Sequence, residues 1–255
     1  MKIIGVIPAR YKSSRFPGKP LADICGKPMI WWVYQQCKKV EDFSEVYVAT
    51  DDDRIFETCQ KHNINVLLTS DQHQTGTDRL GEVAEKIEAD FYVNIQGDEP
   101  MIEPETIKKI VDYKLANPSV EAINTMTLLH DDEDVTINTI VKVVAATNGD
   151  LLYLSRSPIP CSKREEKVTY YKHLGLYGLT KEALTLYTKT DRTKNEMIED
   201  VEMLRLLESG MKIKIVEVNS NTIGVDCKHD LERVNKAIVK IEKYADLLKK
   251  AREGN

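Results

Sequence analysis

The chain opens with residues 3–21, IIGVIPARYKSSRFPGKPL, in which a short aliphatic run leads straight into a basic loop. The run from Ile3 to Ile7 is continuously apolar, which is typical of a parallel strand covered on both faces. Small residues in the loop allow backbone N–H groups to approach an anion. The loop carries four cations within ten residues: Arg10, Lys12, Arg15 and Lys19. The stretch therefore predicts a first strand of an α/β sheet, followed by a loop suited to a triphosphate.

Two kinds of cation in this loop have different uses. Arg10 and Arg15 offer planar guanidinium groups that hold phosphate oxygens through paired hydrogen bonds, whereas Lys19 offers a compact charge for a departing pyrophosphate. The loop lacks the GxxxxGK[ST] spacing of the kinase and GTPase phosphate loop. Taken alone, it is also compatible with a solvated basic loop.

The organisation of the first hundred residues supports the same fold. Apolar runs at 46–50, 65–69 and 91–95 alternate with amphipathic stretches at 28–40, 54–62 and 77–88, which indicates βαβ units and a mostly parallel sheet. Later, strands are predicted at 122–126, 139–144, 151–155, 173–177 and 212–218, and helices at 196–209 and 230–251. We expect one domain over residues 1–255, with a mixed sheet and an excursion or flap in its second half.

Composition describes an ordinary globular protein. The chain has 255 residues, 42% hydrophobic and 30% charged, with a net charge of −5. It contains no apolar run of membrane-spanning length, and its N-terminus lacks the features of a signal peptide. Its five cysteines are widely spaced without CxxC pairs, which favours free thiols. We therefore expect a cytoplasmic protein with no nucleic-acid or membrane partner, in which local cations meet any anionic ligand.

Two acids stand where a metal site is expected. Asp98 follows the strand at 91–95 within the stretch NIQGDEP, and Asp226 follows a probable strand near Val225. Mg²⁺ prefers oxygen ligands, often one or two carboxylates together with substrate phosphates. If the two loops meet at the carboxyl edge of the sheet, these acids bind the metal that aligns the reacting groups. An aspartate at a strand end is, taken singly, more often a turn residue or helix cap, so the prediction depends on the convergence of the two acids.

Weaker candidates lie elsewhere. Thr75 and Arg79, in the stretch TGTDR, are placed to read a pyrimidine edge, although ordinary helix capping explains them as well. His173 and Tyr177 share one face of a predicted strand, where packing is an equal explanation. Glu202 and Arg205 have the spacing of an exposed helical ion pair.

Seven stretches taken together resemble the 3-deoxy-manno-octulosonate cytidylyltransferases over about residues 3 to 235, in order and with similar spacing. They are PARYKSSRFPGKPL, ATDDDRI, TGTDRL, NIQGDEPMI, LYLSRSPIP, KHLGLYG and GVDCKHDLERV. The resemblance implies a Rossmann-like nucleotidyltransferase fold that uses CTP, Mg²⁺ and an acidic sugar. It also implies a homodimer built partly through a smaller excursion at about residues 125–200, which contributes to the sugar pocket as well.

The resemblance also implies roles for individual residues. Arg10 and Lys19 are expected to contact the triphosphate and, with Asp98, to carry catalysis, while Asp98 and Asp226 hold magnesium. The cytidine is expected to lie among Pro8, Ala9, Thr75, Arg79 and Gln96. The sugar pocket is expected to be lined by Arg15, Arg156, His173, Tyr177 and Glu202. The implied reaction is direct attack of the sugar's anomeric hydroxyl on the α-phosphate of CTP.

One departure from the family pattern concerns the sugar. Met203 stands where the family usually has a glutamine that is thought to touch it, and a thioether does not donate a hydrogen bond. This position leaves the sugar open between 3-deoxy-manno-octulosonate and a modified acid, such as the 8-amino-3,8-dideoxy sugar or a nine-carbon sialic-type acid, and Phe16 favours the branch serving capsules or modified octulosonates. A nucleotide-binding module without turnover is a separate alternative. The product is expected to serve lipopolysaccharide or capsule synthesis.

Overall fold

The computed structural model describes residues 1–12, 16–130, 134–164, 167–220, 222–241 and 245–253. The strands are β1 (Ile3–Ala9), β2 (Asp23–Ile24), β3 (Lys27–Pro28), β4 (Glu45–Thr50), β5 (Val66–Leu68), β6 (Phe91–Asn94), β7 (Ala122–Leu128), β8 (Lys142–Ala145), β9 (Leu151–Ser155), β10 (Tyr171–Leu179) and β11 (Ile213–Glu217). The helices are α1 (Met29–Cys37), α2 (Asp53–Lys61), α3 (Gly76–Lys86), α4 (Pro104–Ala116), α5 (Lys181–Lys189), α6 (Lys194–Glu199), α7 (Met203–Glu208), α8 (Lys228–Lys240) and α9 (Ala245–Glu253).

The central sheet has the order β11-β7-β10-β6-β1-β4-β5. Four of its neighbouring pairs are parallel: β11 with β7, β6 with β1, β1 with β4, and β4 with β5. Strand β10 runs antiparallel to both β6 and β7. The hairpin of β8 and β9 is joined to the edge of β10 and forms an excursion from the main path. The predicted α/β fold with a mixed, mostly parallel sheet is confirmed.

The core lies on both faces of β1, as its continuous apolar run predicts. Ile3 and Ile7 belong to one buried cluster with residues of α1, α4 and α8. Ile4 and Val6 belong to a second cluster with residues of α3, α5 and α7. Because successive side chains of a strand point to opposite faces, one aliphatic run supplies both layers.

Two predicted helices are each divided in the structure. The stretch 196–209 forms α6 and α7, separated at Asp200, whose φ of 49° lies in the left-handed region that aspartate tolerates better than most residues. The stretch 230–251 forms α8 and α9, and Ile241 after α8 is extended. This terminal stretch contains neither glycine nor proline, so its periodicity gave no sign of the break.

Within the ranges given above, every helix is too short or too polar to span a membrane.

Candidate active site

The carboxyl ends of β1 and β6 lie side by side, because the two strands are parallel neighbours at the middle of the sheet. Ligands of open α/β sheets bind outside this edge. A cavity of about 510 Å³ opens there. It is lined by Pro8, Ala9, Arg10, Lys12, Lys19, Pro20, Gln74, Thr75, Gly76, Gln96, Gly97, Asp98, Arg192, Asp200, Val201 and Glu202.

A second cavity of about 610 Å³ lies against the other side of the 74–78 segment. Its charged side chains are largely paired with one another: Arg205 with Asp78, and both His73 and Lys86 with Glu82. The cavity at the strand ends differs because it lies at the carboxyl edge of the sheet and gathers four cations and three acids from loops far apart in sequence. We therefore treat it as the candidate active site.

Lys19 connects the two acids predicted to bind a metal. Its Nζ lies 2.6 Å from Asp98 Oδ2 and 3.7 Å from Asp226 Oδ1, and it also donates to the carbonyl of Val225 at 2.9 Å. The Val225 N–H in turn donates to the Asp98 carbonyl at 2.9 Å. The loops that carry the two carboxylates are thus joined by backbone and side chain, and both acids face one point.

The position of Lys19 is set by the turn before it. Gly18 has a φ of 71°, a conformation that glycine adopts without strain, and its N–H donates to the Tyr11 carbonyl at 2.8 Å. A Cβ at Gly18 would lie 3.1 Å from the Tyr11 ring, and the Arg54 guanidinium covers this ring at 3.2 Å from its centroid. Tyr11 and Arg54 therefore pack against the turn at Gly18, and this packing was not evident from the sequence.

Arg10 forms the adjoining wall. Its Nη1 donates to the Gln74 carbonyl at 3.0 Å, and its Nη2 is buried without a hydrogen-bond partner among the described residues. A buried donor that lacks a protein acceptor is uncommon, and it is satisfied when an anion or water enters. This geometry suits a guanidinium that receives a phosphate oxygen.

Two glycines allow close packing of the strand ends. A Cβ at Gly97 would lie 2.9 Å from the carbonyl of Pro8, and one at Gly175 would lie 2.5 Å from Cγ of Gln96. The missing Cβ atoms bring the 96–98 loop against β1 and allow Gln96 to lie over β10.

Beside Asp98, burial and then the charge of Asp98 raise the pKa of Glu99 to about 7.

Glu202 occupies the start of α3. Its carboxylate accepts from the N–H groups of Gly76 at 3.3 Å and Thr77 at 2.8 Å, from the Thr77 hydroxyl, and from the Tyr177 hydroxyl at 3.3 Å. A carboxylate is favoured at this helix end by the unpaired N–H groups and the helix dipole. Thr75 caps the same helix through a reciprocal capping box with Asp78.

The structure brings together most, but not all, of the predicted site residues. Lining the cavity are Pro8, Ala9, Arg10, Lys19, Thr75, Gln96, Asp98 and Glu202, with Asp226 joined to it through Lys19. Tyr177 is buried and reaches the cavity wall only through Thr77 and Glu202. Arg15 lies outside the described residues.

Arg79 lies in the interior and does not line the cavity. It is fully buried, bonds to the Thr69 hydroxyl and lies 3.4 Å from Asp51. Its burial lowers the pKa of the guanidinium, an effect that the charge of Asp51 opposes. This position does not allow direct contact with a base in the cavity, so the predicted cytidine contact requires another residue between them or a movement of the side chain.

Arg156 and His173 form a separate group near the β8–β9 excursion. The Arg156 guanidinium donates to the carbonyls of Asn138, Glu199 and Asp200, and therefore fixes the end of α6. His173 has a buried Nε2 without a hydrogen-bond partner in the described part of the chain. Burial, and then the charge of Arg156, lower the pKa of His173 to about 4. Arg156 therefore adjoins the end of α6, and neither residue lines the cavity at the strand ends.

Met203 is placed in the apolar core. Its side chain is 1% exposed, belongs to the cluster with α3 and α5, and does not line the cavity. Because the side chain of Glu202 points to α3 and that of Met203 points inward, the adjacent positions have opposite environments. The expected sugar contact of position 203 is therefore corrected: the buried side chain does not reach the site.

Several site residues were not found from the sequence. Gln74, Arg192, Asp200 and Val201 line the cavity but lie in stretches without a recognisable motif. Arg205 was interpreted as a surface partner of Glu202, whereas it is 4% exposed and pairs with Glu196 and Asp78. The capping pattern Thr75-x-x-Asp78 was visible in the sequence and is the one signal that points toward this network.

The comparisons with known proteins agree with this geometry. Residues 4–213 match the family model described as cytidylyltransferase. A 3-deoxy-manno-octulosonate cytidylyltransferase of Geobacter metallireducens is 44% identical, covering 92% of this chain and 96% of the relative. One of Escherichia coli is 43% identical, covering 91% and 94%.

A solved structure shows the same fold. It is described as CMP:2-keto-3-deoxy-manno-octonic acid synthetase complexed with CTP, and it superposes with a TM-score of 0.90 at 41% identity, covering 94% of this chain and 99% of that one. The sequence match, the fold and the converging loops agree on one assignment. The chain is a nucleotidyltransferase that belongs to the cytidylyltransferase family and, within it, to the 3-deoxy-manno-octulosonate cytidylyltransferases.

Proposed function

We propose that this enzyme transfers CMP from CTP to the anomeric hydroxyl of 3-deoxy-manno-octulosonate and releases pyrophosphate. The single observation that carries the proposal is the position of Lys19, which lies in a cavity that Arg10 and Asp98 also line and which joins Asp98 to Asp226. The names of the close relatives, and the CTP named with the similar solved structure, supply the substrates.

We further propose that Mg²⁺ is the cofactor, held by Asp98 and Asp226. The donor set fits: two carboxylates reach one ammonium, and their side chains are 33% and 60% exposed, so both are accessible to an ion that enters with a nucleotide. Among the described residues, no cluster of three or more acidic, histidine or cysteine side chains is arranged for a metal. Two carboxylates with substrate phosphates are an ordinary Mg²⁺ site. When bound, the ion neutralises phosphate charge and orients the oxygens that react.

The residues of the chain then account for nucleotide binding. Arg10, with its unpartnered Nη2, is the proposed donor to the phosphates, and Lys19 turns from the carboxylates toward the departing pyrophosphate. Pro8, Ala9, Thr75 and Gln96 form the walls proposed for the nucleoside. This transfer needs positioning and neutralisation of charge more than a protein nucleophile, so no covalent enzyme intermediate is required.

The sugar side of the proposal depends on the α6–α7 segment and β10. Glu202 lines the cavity and is the proposed sugar residue closest to the nucleotide loop. Arg156 and His173 lie further along this side, and the guanidinium of Arg156 supplies the positive charge expected to face the sugar carboxylate. The role of Tyr177 is to support Glu202 through its hydroxyl. Arg15 is the further residue proposed for the sugar pocket.

The domain organisation, the oligomeric state and the use of the product are proposed from the similarity to the same family. We propose that residues 1–255 act as one domain, that residues 125–200 contribute to a homodimer, and that the product feeds lipopolysaccharide or capsule synthesis. All five cysteines are free thiols, which suits the cytoplasm.

A coupled assay of pyrophosphate release tests the proposal. The purified chain is given CTP and Mg²⁺ with 3-deoxy-manno-octulosonate, its 8-amino-3,8-dideoxy analogue or a nine-carbon sialic-type acid, and UTP replaces CTP as the control. We expect the highest kcat/KM with CTP and the unmodified octulosonate. A preference for another acid would correct the sugar, and CTP binding without turnover of any acid would indicate a binding module.

A further inference from the structure

The Arg205 guanidinium is fully engaged inside the protein. Its Nε and Nη2 donate to the two oxygens of Glu196 at 2.8 and 2.7 Å, and its Nη1 donates to Asp78 Oδ1 at 3.2 Å. It also lies 3.8 Å from the ring centroid of Tyr187. The planar group suits such paired and stacked contacts better than an ammonium would. Arg205 thus joins the α6–α7 segment to the start of α3.

The positive charge of Arg205 lies between the carboxylates of Glu196 and Asp78. The Glu196 side chain is fully buried, and that of Asp78 is 17% exposed. A buried carboxylate needs a partner, and Glu196 also accepts from the Thr193 N–H and from Arg192. The arrangement fixes the guanidinium rigidly enough for one of its nitrogens to orient Asp78.

Asp78 connects Arg205 to Thr75, which lines the cavity. Its Oδ2 accepts from both the N–H and the hydroxyl of Thr75, at 2.9 and 2.8 Å, while its own N–H donates to the Thr75 hydroxyl at 3.0 Å. The Tyr187 hydroxyl, under Arg205, lies 3.0 Å from the same Thr75 oxygen. Both Asp78 and Tyr187 therefore connect Arg205 to Thr75.

Thr75 belongs to the segment that faces the nucleotide loop. Residues Gln74, Thr75 and Gly76 line the cavity, and the Gln74 carbonyl accepts from Arg10 Nη1. A continuous series of contacts thus runs from Glu196 through Arg205, Asp78 and the 74–76 segment to the guanidinium proposed to hold phosphate.

We propose that Arg205 is a positioning residue for nucleotide binding, which acts through Asp78 to hold the 74–76 segment against Arg10. The inference rests on the proposed use of CTP. It assigns to the α6–α7 segment a role in nucleotide affinity, through a buried residue that does not itself line the cavity.

A double-mutant cycle on the Kd for CTP tests the proposal, with binding measured by calorimetry on the full chain in Mg²⁺. Asp78→Asn breaks the charged contact but leaves the Glu196–Arg205 pair intact, and Arg205→Lys keeps the charge but loses the paired geometry. We expect each variant to weaken CTP binding about tenfold, and the double variant to be no weaker than either single one, because both changes interrupt one connection.

Lys114→Met is the matched control. Lys114 is another buried cation, and its Nζ donates to the carbonyls of Pro118 and Val120 at the end of α4, away from the cavity. It should lower the melting temperature without changing the Kd for CTP. Unchanged CTP affinity in folded Asp78→Asn, additive effects in the cycle, or equal weakening by Lys114→Met would each overturn the inference. Failure of the unsubstituted chain to bind CTP would instead overturn the proposed function, and this inference with it.

Discussion

The Nζ of Lys19 lies 2.6 Å from Oδ2 of Asp98, although the two residues are 79 positions apart in sequence. The contact joins the loop after β1 to the loop after β6 at the middle of the sheet.

Replacing Asp98 with asparagine removes one proposed metal ligand while it retains the shape of the side chain. Asp98 is partly exposed, so the fold should persist. We expect kcat to fall by roughly two orders of magnitude or more, because the metal contributes several kcal/mol to such reactions. Turnover is measured across a Mg²⁺ titration. Asp112→Asn, an exposed acid paired with Lys108 on α4, is the control. Normal turnover in Asp98→Asn would remove Asp98 from the mechanism.

Replacing Lys19 with methionine removes the ammonium but keeps much of the chain length. We expect kcat/KM for CTP to fall roughly 100-fold, since one charged donor aimed at a leaving group contributes this much in other enzymes. Both KM and kcat should change, because Lys19 is proposed to act on the bound nucleotide and on the transition state. Lys109→Met, an exposed lysine on α4, should leave both values unchanged. An unaltered rate in Lys19→Met would make Lys19 a purely structural partner of Asp98.

Alanine at Gly175 should displace Gln96. The new Cβ would lie 2.5 Å from Cγ of Gln96, a flexible side chain that can move away from the cavity wall. We expect the KM for CTP to rise about tenfold, as the loss of one hydrogen bond implies, with a smaller effect on kcat. Gln96→Ala should show the same rise, and the double variant no further increase. A normal KM in Gly175→Ala would argue against a nucleoside contact through Gln96.

Glutamine at Met203 should affect stability rather than sugar choice. The side chain is 1% exposed, and an amide there loses its hydrogen bonds to water, at a cost of about 1–3 kcal/mol. Unfolding in urea measures the loss, and Met203→Leu, which nearly conserves volume, should lose less. The relative kcat/KM among ulosonic acids should stay constant. A shift toward unmodified octulosonate would show that the position selects the sugar despite its burial.

His173 predicts a pH dependence of stability. Burial and Arg156 lower the pKa of the folded imidazole to about 4, against an ordinary value of 6.5. The unfolded chain therefore binds the proton first, so stability is fully present above pH 6.5 and is lost as pH falls toward 4. Allowing for partial exposure, the loss is about 2 kcal/mol. His173→Gln should reduce the difference in unfolding free energy between pH 7 and pH 4.5. An equal pH dependence in both proteins would contradict the assignment.

The sequence predicted correctly those elements whose hydrophobic pattern alone determines which residues are buried. The continuous run at Ile3 to Ile7 required cover on both faces, and the structure supplies it. Asp98 was recognisable because it follows β6, and parallel strands bring their ends to one edge. The strand expected just before Asp226 was wrong: β11 ends at Glu217, and the Val225 N–H bond to the Asp98 carbonyl brings Asp226 to this edge instead. The resemblance to a family added what spacing alone does not contain, namely the nucleotide and the sugar.

The environment of a side chain was harder to predict. Glu202, Met203 and Arg205 are near neighbours, yet Glu202 lines the cavity, Met203 is in the core and Arg205 is a buried link to α3. These differences depend on the break at Asp200, where a left-handed residue ends α6 and reorients α7. Periodicity described the stretch as one helix and therefore assigned its faces incorrectly. The burial of Arg79 was not predicted for a related reason: a capping motif fixes where a helix begins but not how deeply its first turn is buried.

The carboxylate of Glu202 at the start of α3 has a consequence for the direction of binding. In many nucleotide-binding folds, a helix start receives the phosphates. Here the protein fills that place with its own negative charge, so a polyphosphate approaching α3 meets repulsion where another fold would offer attraction. If Arg10 and Lys19 hold the triphosphate as proposed, the charges of this chain would orient a bound nucleotide from both ends: these cations attract the charged tail, and the Glu202 carboxylate repels it from the start of α3.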